Sequence, residues 1–419
     1  MVNMDMQSWL SQPPKYTTFR INKIRQFDTK TFESFLENQR EKLKLLTVPK
    51  VYCLSPDCLV VEQWVADVQP NISNSEVIVD ALCAAAVLRG AHVFAPGVMG
   101  LKPGCSINDK VDIYGDLEGK CKKGLKVEYT GRKQFVGTGY LKMLRHELFN
   151  DGQPPCGIAI EVTLPASRLP VINESIYPKG ALVLQNLPSM VCGWVVGAQP
   201  QELILDMCAA PGNKTTHLAE MSNNQAVIIA IDKTPQKVAK IKENCENHGV
   251  NCVSAYTFDS TKCHSELDGS IDNGPPFSSN TFDKVLLDGP CSGLGQRPQL
   301  VYKITPKMLQ SYKFVQRKLM ESAVKVLKVG GVLVYSTCTV TEEENEGMVA
   351  WALNKFPSLQ LVPAEPLLGG PGLPCSSLTN TQRAMLQRFG SEEDCLRPAS
   401  HLIYKDTIGF FIAKFIKTE

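Results

Sequence analysis

The sequence lacks the features that mark membrane and secreted proteins. It contains no apolar run near the roughly 18 residues that a membrane-spanning helix needs. The first fifteen residues have no basic start, apolar core or small-residue cleavage site, so we expect no secretory signal. Internal repeats and low-complexity tracts are also missing. We therefore expect a cytoplasmic protein with no membrane segment.

Metal-ligand patterns are missing as well. The six histidines are scattered, and Cys53 and Cys58 have no second pair of closely spaced cysteines, so we expect no metal site. Fifteen cysteines without a secretory signal indicate free thiols in a reducing compartment rather than a disulfide framework. The formal net charge is only +2, so any surface that binds nucleic acid must be a local basic patch.

Changes in residue pattern divide the chain into segments 1–75, 76–169 and 170–419. The 419 residues are too many for one ordinary core, and 43% hydrophobic and 21% charged residues are typical of globular proteins. Apolar residues with a 3.6-residue repeat predict a helix over residues 16–46. Ser75 is expected to cap a helix that runs to Arg89. Short strands and glycine turns then predict a small, barrel-like β unit.

After residue 170, apolar β-branched runs alternate with helical stretches. This alternation predicts an α/β fold, with a parallel sheet covered by helices on both faces. The last run, residues 408–417, is expected to be an antiparallel strand at the edge of the sheet. The other predicted strands are LILDM (203–207), AVIIAID (226–232), CVSAYTFD (252–259), FDKVLLDGP (282–290) and GVLVYSTC (331–338).

Ligands of open α/β sheets bind beyond the carboxyl ends of the strands. Four successive runs end in an acid, and a strand-end aspartate taken alone is best explained as a helix cap. Four strand-end aspartates together with a turn of small residues favour an adenosyl ligand. Its ribose would bind Asp232, and its adenine amine would bind Asp259. The turn is neither a dinucleotide fingerprint nor a phosphate-binding Walker loop. The four acids are Asp206, Asp232, Asp259 and Asp288, and the turn comprises Cys208, Ala209, Ala210, Pro211, Gly212, Asn213 and Lys214.

Two cysteines follow the fourth and fifth predicted strands. Cys291 lies in DGPCSG, and Cys338 lies in VYSTCTVTEEENE, residues 334–346. A buried cysteine is commonly an inert small hydrophobe, which is the simpler explanation for either one alone. Adjacent parallel strands would bring both thiols together near the ligand, which favours reactive cysteines. The acids Glu342–Glu344 and Glu346 are expected to form a solvated helix start.

These motifs resemble the signatures of the NOP/Sun-domain RNA cytosine-5 methyltransferases. The resemblance covers residues 170–419 and is carried by DMCAAPGNKTTH, LLDGPCSGLGQRP and VYSTCT with EENE. Asn213 and Gly289 depart from the usual APGGK and DAPCSG. The segment 76–169 resembles a PUA domain through GAHVFAPGVMG and NDKVDIYGD. The implied fold is a Rossmann-like class I S-adenosylmethionine-dependent methyltransferase with an inserted PUA β-barrel. Residues 1–75 are expected to complete the methyltransferase domain across that insertion.

The resemblance also implies a reaction. Cys338 would attack C6 of a cytosine, Cys291 would assist release, and Asp288 would bind the base with Lys214 adding positive charge. S-adenosylmethionine would bind the turn at 208–214 together with Asp232, Asp259 and Asp288. The implied substrate is tRNA near its acceptor end and 3′ CCA, with messenger-RNA hairpins as a second class, and the implied state is a monomer. Expected RNA contacts are Lys122, Lys123, Arg132, Lys133 and Phe410, the last of which could equally be a core residue.

Two alternatives remain open from sequence. A DNA cytosine-5 methyltransferase would use the cysteine of a Pro-Cys motif, here Cys291, as its nucleophile. A non-catalytic RNA-binding or assembly factor could keep the same fold.

Overall fold

Three β-sheets organise the protein in a computed structural model. The structure describes residues 4–65, 75–150, 152–173, 176–267, 271–302, 304–374, 377–390 and 402–419. Across these ranges, we find no helix whose length and apolar character would let it cross a bilayer. The cysteines within the same ranges are all free thiols.

The first sheet joins chain segments that are distant in sequence. Its four strands are antiparallel in the order β10-β1-β3-β2. The helix predicted over residues 16–46 is wrong in its first part, because the threonine- and aromatic-rich run at 16–21 pairs as a strand. The helix begins only after Asp28, whose carboxylate caps it. The elements are Met4–Ser11 (α1), Tyr16–Ile21 (β1), Thr29–Leu43 (α2), Val51–Ser55 (β2), Cys58–Glu62 (β3) and Leu182–Leu184 (β10).

The second sheet has six strands in the order β5-β9-β8-β7-β4-β6. The β-rich interpretation of this segment agrees with the structure. The helix expected from Ser75 is wrong at its start, because residues 76–79 pair as a strand and Asp80 caps the helix. The elements are Glu76–Val79 (β4), Ala81–Leu88 (α3), Val93–Phe94 (β5), Val98–Leu101 (β6), Lys110–Asp116 (β7), Lys133–Leu141 (β8), Arg145–Leu148 (α4) and Ile158–Pro165 (β9).

The third sheet contains all five predicted strands of the α/β segment. Its order is β13-β12-β11-β14-β15-β18-β16, and β17 also pairs with β18. The elements are Leu187–Val196 (α5), Leu203–Asp206 (β11), Asn213–Met221 (α6), Val227–Asp232 (β12), Pro235–His248 (α7), Val253–Thr257 (β13), Phe282–Asp288 (β14), Pro306–Val326 (α8), Leu327–Thr337 (β15), Glu346–Lys355 (α9), Leu359–Val362 (β16), Asn380–Met385 (α10), Gln387–Phe389 (β17) and Phe410–Lys417 (β18).

Strand β18 is antiparallel, as predicted, but it does not lie at the edge. Strand β15 pairs along one side of it, and the short strands β16 and β17 pair along the other. Strands of three or four residues give too short a sequence pattern to be recognised. The parallel pairing of β14 with β15 places Asp288 opposite Ser336. The segments that follow these two strands therefore leave the sheet side by side.

A buried arginine ties the first sheet to helix α6. Arg20 is fully buried on β1, and its guanidinium lies 2.8 Å from Glu220 and donates to the carbonyl oxygen of Asn213. Burial raises the pKa of Glu220 to about 7, although the positive charge of Arg20 opposes this shift. Asn213 starts α6, so β1 holds the beginning of that helix in place.

Removal of Arg20 should destabilise the fold strongly. Arg20→Met leaves Glu220 buried without its cation, so we expect the free energy of unfolding to fall by about 3–5 kcal/mol. Lys240→Ala is the control, because its exposed pair with Glu243 should contribute under about 1 kcal/mol. Urea denaturation followed by circular dichroism measures both, and equal losses would contradict the role of the buried pair.

Candidate active site at the strand ends

Two thiols meet where β14 and β15 end. The sulfurs of Cys291 and Cys338 lie 3.4 Å apart. The amide of Gly295 donates to the carbonyl oxygen of Cys338 over 2.9 Å, which links the two cysteine-bearing loops. The structure thus brings together the two cysteines that the sequence placed on neighbouring strands.

The two thiols differ in acidity. The pKa of Cys338 falls to about 7, chiefly because Cys291 donates a hydrogen bond to its sulfur. Burial and Asp288 oppose this shift, while Gln296 and Lys214 support it. The pKa of Cys291 is raised well above its usual value, because its proton is held by Cys338 and because it is buried. The pair is therefore polarised, with Cys338 ionising more readily than Cys291.

An ion pair stands beside the thiols. The ammonium of Lys214 lies 2.5 Å from one oxygen of Asp288, and the hydroxyl of Ser336 donates to the other oxygen over 2.7 Å. Burial opposes the charge on Lys214, but Asp288 outweighs it and the pKa of Lys214 rises. The pair presents an acceptor and a positive charge together next to the two thiols.

Asp206 differs from the other strand-end acids. It is buried and accepts a hydrogen bond from the hydroxyl of Thr215 over 2.7 Å. Burial raises its pKa to about 7, and the Thr215 hydrogen bond offsets part of that shift. Within the described ranges, the second carboxyl oxygen of Asp206 is buried and has no hydrogen-bond partner. Asp206 therefore holds the start of α6 and leaves one polar atom free beneath the turn.

The turn at 208–214 positions the start of α6. Gly212 caps the helix with a φ of +109°, and no side chain bonds the first helical amides. Asn213 is the first residue of the helix, so the left-handed conformation lies at Gly212 and Asn213 does not adopt it. Position 289, where the family usually has alanine, has room for either residue. A Cβ added at Gly289 would make ordinary contacts of 3.6 Å with Leu287 and Leu319.

The acids on the next two strands already contact groups of the protein, and Asp232 also lies 3.2 Å from the ammonium of Lys237. Asp232 accepts hydrogen bonds from the amides of Ala210 and Lys233 over 3.1 and 2.7 Å. Asp259 caps a short 3-10 turn through Thr261, which is the simpler explanation that the sequence offered for such an acid. One oxygen of Asp259 caps that turn, and the other lies 3.6 Å from the ammonium of Lys233. The uncapped helix amides and the carboxylates of Asp232 and Asp259 fit a polar adenosyl group.

Two of the predicted RNA contacts, Phe410 and Lys133, have partners within the protein. Phe410 is only 2% exposed and packs beneath Lys214, whose ammonium lies 5.3 Å from the ring centre. The core interpretation of Phe410 is correct, and stacking on a target base is not. Lys133 pairs with Glu76 over 2.6 Å, so its charge serves the β unit. The other predicted RNA contacts, Lys122, Lys123 and Arg132, are exposed.

Two of the acids after Cys338 are buried, which corrects the expectation of a solvated helix start. Glu344 is 1% exposed and Glu346 is 0% exposed, whereas Glu342 and Glu343 face solvent. Glu346 forms an ion pair with Arg388 over 3.0 Å. A run of identical acids gives no signal that separates the buried members from the exposed ones. Sequence reasoning therefore missed both buried carboxylates.

Loss of the Cys291 thiol should make Cys338 less acidic. In Cys291→Ala, the pKa of Cys338 should move from about 7 towards the ordinary value of 9, because its main hydrogen-bond donor is gone. Iodoacetamide alkylation of Cys338 as a function of pH, quantified by peptide mass spectrometry, measures this shift. Cys53→Ala, which removes an exposed thiol, should leave the profile unchanged. An unchanged profile in Cys291→Ala would contradict the assigned polarity of the pair.

Known proteins are similar to this chain in sequence and in fold. The tRNA (cytosine(72)-C(5))-methyltransferase NSUN6 of Mus musculus is 42% identical over 425 residues, 98% of this chain and 89% of that protein. The tRNA (cytosine(72)-C(5))-methyltransferase of Pyrococcus horikoshii is 35% identical over 357 residues, 84% of this chain and 79% of that protein. The crystal structure of NSun6 from Pyrococcus horikoshii with SFG superposes with a TM-score of 0.71 at 30% identity, covering 99% of this chain and 94% of that one. A family described as 16S rRNA methyltransferase RsmB/F matches residues 194–415. This chain therefore belongs to the RsmB/F methyltransferase family, which confirms the Sun-domain resemblance of its motifs.

Proposed function

We propose that this protein methylates C5 of a cytosine in tRNA, near the acceptor end, with S-adenosylmethionine as the methyl donor. The observation that carries the proposal is the pair of thiols 3.4 Å apart, of which Cys338 has the lowered pKa. The names of the mammalian and archaeal relatives support tRNA as the substrate.

The residues around the turn would hold the donor. S-adenosylmethionine supplies a methyl group on a positively charged sulfur. The uncapped amides of α6 suit its carboxylate, and Asp232 and Asp259 suit its ribose and adenine. Arg20 fixes the carbonyl of Asn213 from below, so the turn is organised before the donor binds.

Cys338 starts the reaction by covalent catalysis. Its thiolate adds to C6 of the cytosine, and the electrons of the C5–C6 double bond make C5 nucleophilic towards the methyl group. N3 takes up a proton from water as charge develops on the ring and returns it to water when the C6–S bond breaks. Asp288 accepts a hydrogen bond from that N3–H, and Lys214 holds the carboxylate in place. The target base must leave its stack to reach these groups.

Cys291 acts at the release step. After methyl transfer, the C5–H bond breaks and its proton passes to water. The electron pair restores the C5–C6 double bond, and the C6–S bond breaks with its electrons returning to Cys338. The thiol of Cys291 donates a hydrogen bond to the departing sulfur, as it does in the free protein. Release therefore regenerates the thiolate that began the cycle.

The two alternatives receive less support. A DNA methyltransferase would need Cys291 as its nucleophile, but burial and its hydrogen bond to Cys338 raise the pKa of that thiol. A non-catalytic binding factor would have no need of a thiolate beside an ion pair.

The β unit would supply the RNA contacts. We assign residues 76–169 to a PUA domain, inserted between segments 1–75 and 170–419 of the methyltransferase domain. Lys122, Lys123 and Arg132 are exposed on this unit and suit the phosphates of a single-stranded end. Messenger-RNA hairpins as further substrates, a monomeric state and a cytoplasmic location complete the proposal.

Alanine variants of the two cysteines should separate attack from release. Incubated with tRNA and S-adenosylmethionine, Cys291→Ala should accumulate a covalent protein–RNA adduct on a denaturing gel, because release is slowed. Cys338→Ala should form none, because the attacking sulfur is missing. Cys53→Ala is the control and should turn over without a stable adduct. An adduct in Cys338→Ala but not in Cys291→Ala would reverse the two roles.

Bisulfite mapping of total tRNA treated with the protein tests the substrate. The expected product is new 5-methylcytosine near the acceptor end. If 5-methylcytosine appeared elsewhere in the tRNA but not near the acceptor end, the proposed position would be wrong. The proposed C5-methylation of cytosine would remain supported.

Neutralising Lys122 and Lys123, in the loop between β7 and β8, should weaken RNA binding and make that binding less dependent on salt. For Lys122→Ala with Lys123→Ala, the slope of log affinity against log salt should become shallower by about 0.7 for each phosphate that the loop no longer neutralises. Fluorescence anisotropy of labelled tRNA at several salt concentrations measures the slope. The matched pair Lys30→Ala with Lys240→Ala removes the same charge elsewhere and should not change it. Equal effects of both pairs would contradict RNA binding at this loop.

A further inference from the structure

Glu344 joins the two cysteine-bearing loops. One oxygen of its carboxylate accepts from the amide of Ser292 over 2.9 Å and from the side-chain amide of Gln316 over 3.0 Å. The other oxygen accepts from the hydroxyl of Thr341 over 2.9 Å. Ser292 directly follows Cys291, and Thr341 lies three residues after Cys338. A single buried side chain therefore bonds to both loops.

The same group of contacts holds the chain on both sides of Cys291. Gln316 donates to the carbonyl oxygen of Pro290 as well as to Glu344, both over 3.0 Å. The residues before and after Cys291 are thus bonded to one unit formed by Gln316 and Glu344. The hydroxyl of Tyr335 on β15 donates to the carbonyl oxygen of Glu344 over 2.6 Å, which fixes the acid to the strand that leads to Cys338.

We propose that Glu344 is a positioning residue that holds the Cys291 thiol at hydrogen-bonding distance from Cys338. Its importance for methylation rests on the proposed function, but its effect on the thiols does not. The donors to Glu344 are a backbone amide, a side-chain amide and a hydroxyl, all neutral. A buried carboxylate is costly unless its oxygens are satisfied in this way, so the site is built around the acceptor.

The effect of positioning can be separated from the effect of charge. The groups that face Cys338 are Cys291, Asp288, Gln296 and Lys214. Loss of the negative charge of Glu344 would, by electrostatics alone, favour the Cys338 thiolate and lower its pKa. Loss of the position of Cys291 would remove the main donor to that thiolate and raise its pKa. The two explanations therefore predict shifts of opposite sign.

Alkylation of Cys338 measures this difference without RNA. Trypsin releases Cys338 in the peptide 329–355 and Cys291 in the peptide 285–303, and each peptide contains one cysteine. Isotope-coded iodoacetamide then gives the alkylation rate of each thiol as a function of pH. For Glu344→Ala, we expect alkylation of Cys338 at pH 7 to slow by about fivefold, the loss of thiolate that follows when its pKa rises by about one unit.

Two further variants complete the test. Glu344→Gln keeps a carbonyl oxygen for Ser292 and Gln316, so the rate should stay within about twofold of the unsubstituted protein while the charge is removed. Glu343→Gln removes a neighbouring exposed carboxylate and should have no effect. Thr341→Val removes only one donor to Glu344 and should slow alkylation of Cys338 about twofold. This variant keeps the test available if thermal denaturation shows that Glu344→Ala is not folded.

Several results would overturn the proposal. These are an unchanged profile in both Glu344→Ala and Thr341→Val, a faster reaction in Glu344→Ala, or a loss in Glu344→Gln as large as in Glu344→Ala. A methylation assay on the same variants distinguishes the proposals from each other. A protein that fails to methylate tRNA but shows the expected alkylation profiles would refute the proposed function and leave the role of Glu344 standing.

Discussion

The candidate active site is organised around one contact between two thiols. The sulfurs of Cys291 and Cys338 lie 3.4 Å apart, and their contact lowers the pKa of Cys338 while it raises that of Cys291. The contact exists because β14 and β15 are parallel neighbours with Asp288 opposite Ser336. A shift in that register would separate the sulfurs and leave two ordinary, weakly reactive cysteines.

Successive shells of polar contacts surround this pair of thiols. Lys214 joins the thiol site to the turn at 208–214, because it lies at the start of α6 and pairs with Asp288. Arg20 holds the same turn from the opposite side through Asn213 and Glu220. Each contact joins elements that are far apart in sequence. The turn at 208–214 and the pair of thiols are therefore linked through one helix start.

Sequence reasoning found the parts of the site that follow from strand ends. Asp288, Cys291 and Cys338 were predicted because parallel strands bring their carboxyl ends together, and long apolar runs reveal such strands reliably. It failed where tertiary context decides. Phe410 could stack on a base or fill the core, and only packing shows that it fills the core. Glu344 and Glu343 are identical neighbours, and only the fold shows which one is buried.

The pairing of β1 with β10 has a consequence for the order in which the chain acquires its structure during synthesis. Strands β1 to β3 leave the ribosome long before β10, and Arg20 is made 200 residues before its partner Glu220. The six-stranded unit lies between them in sequence and has a hydrophobic core of its own. This unit can therefore fold before β1 pairs with β10, while the guanidinium of Arg20 is still in water. The turn at 208–214 gains its contact with Arg20 only after residues 213–220 have been synthesised and pack against β1.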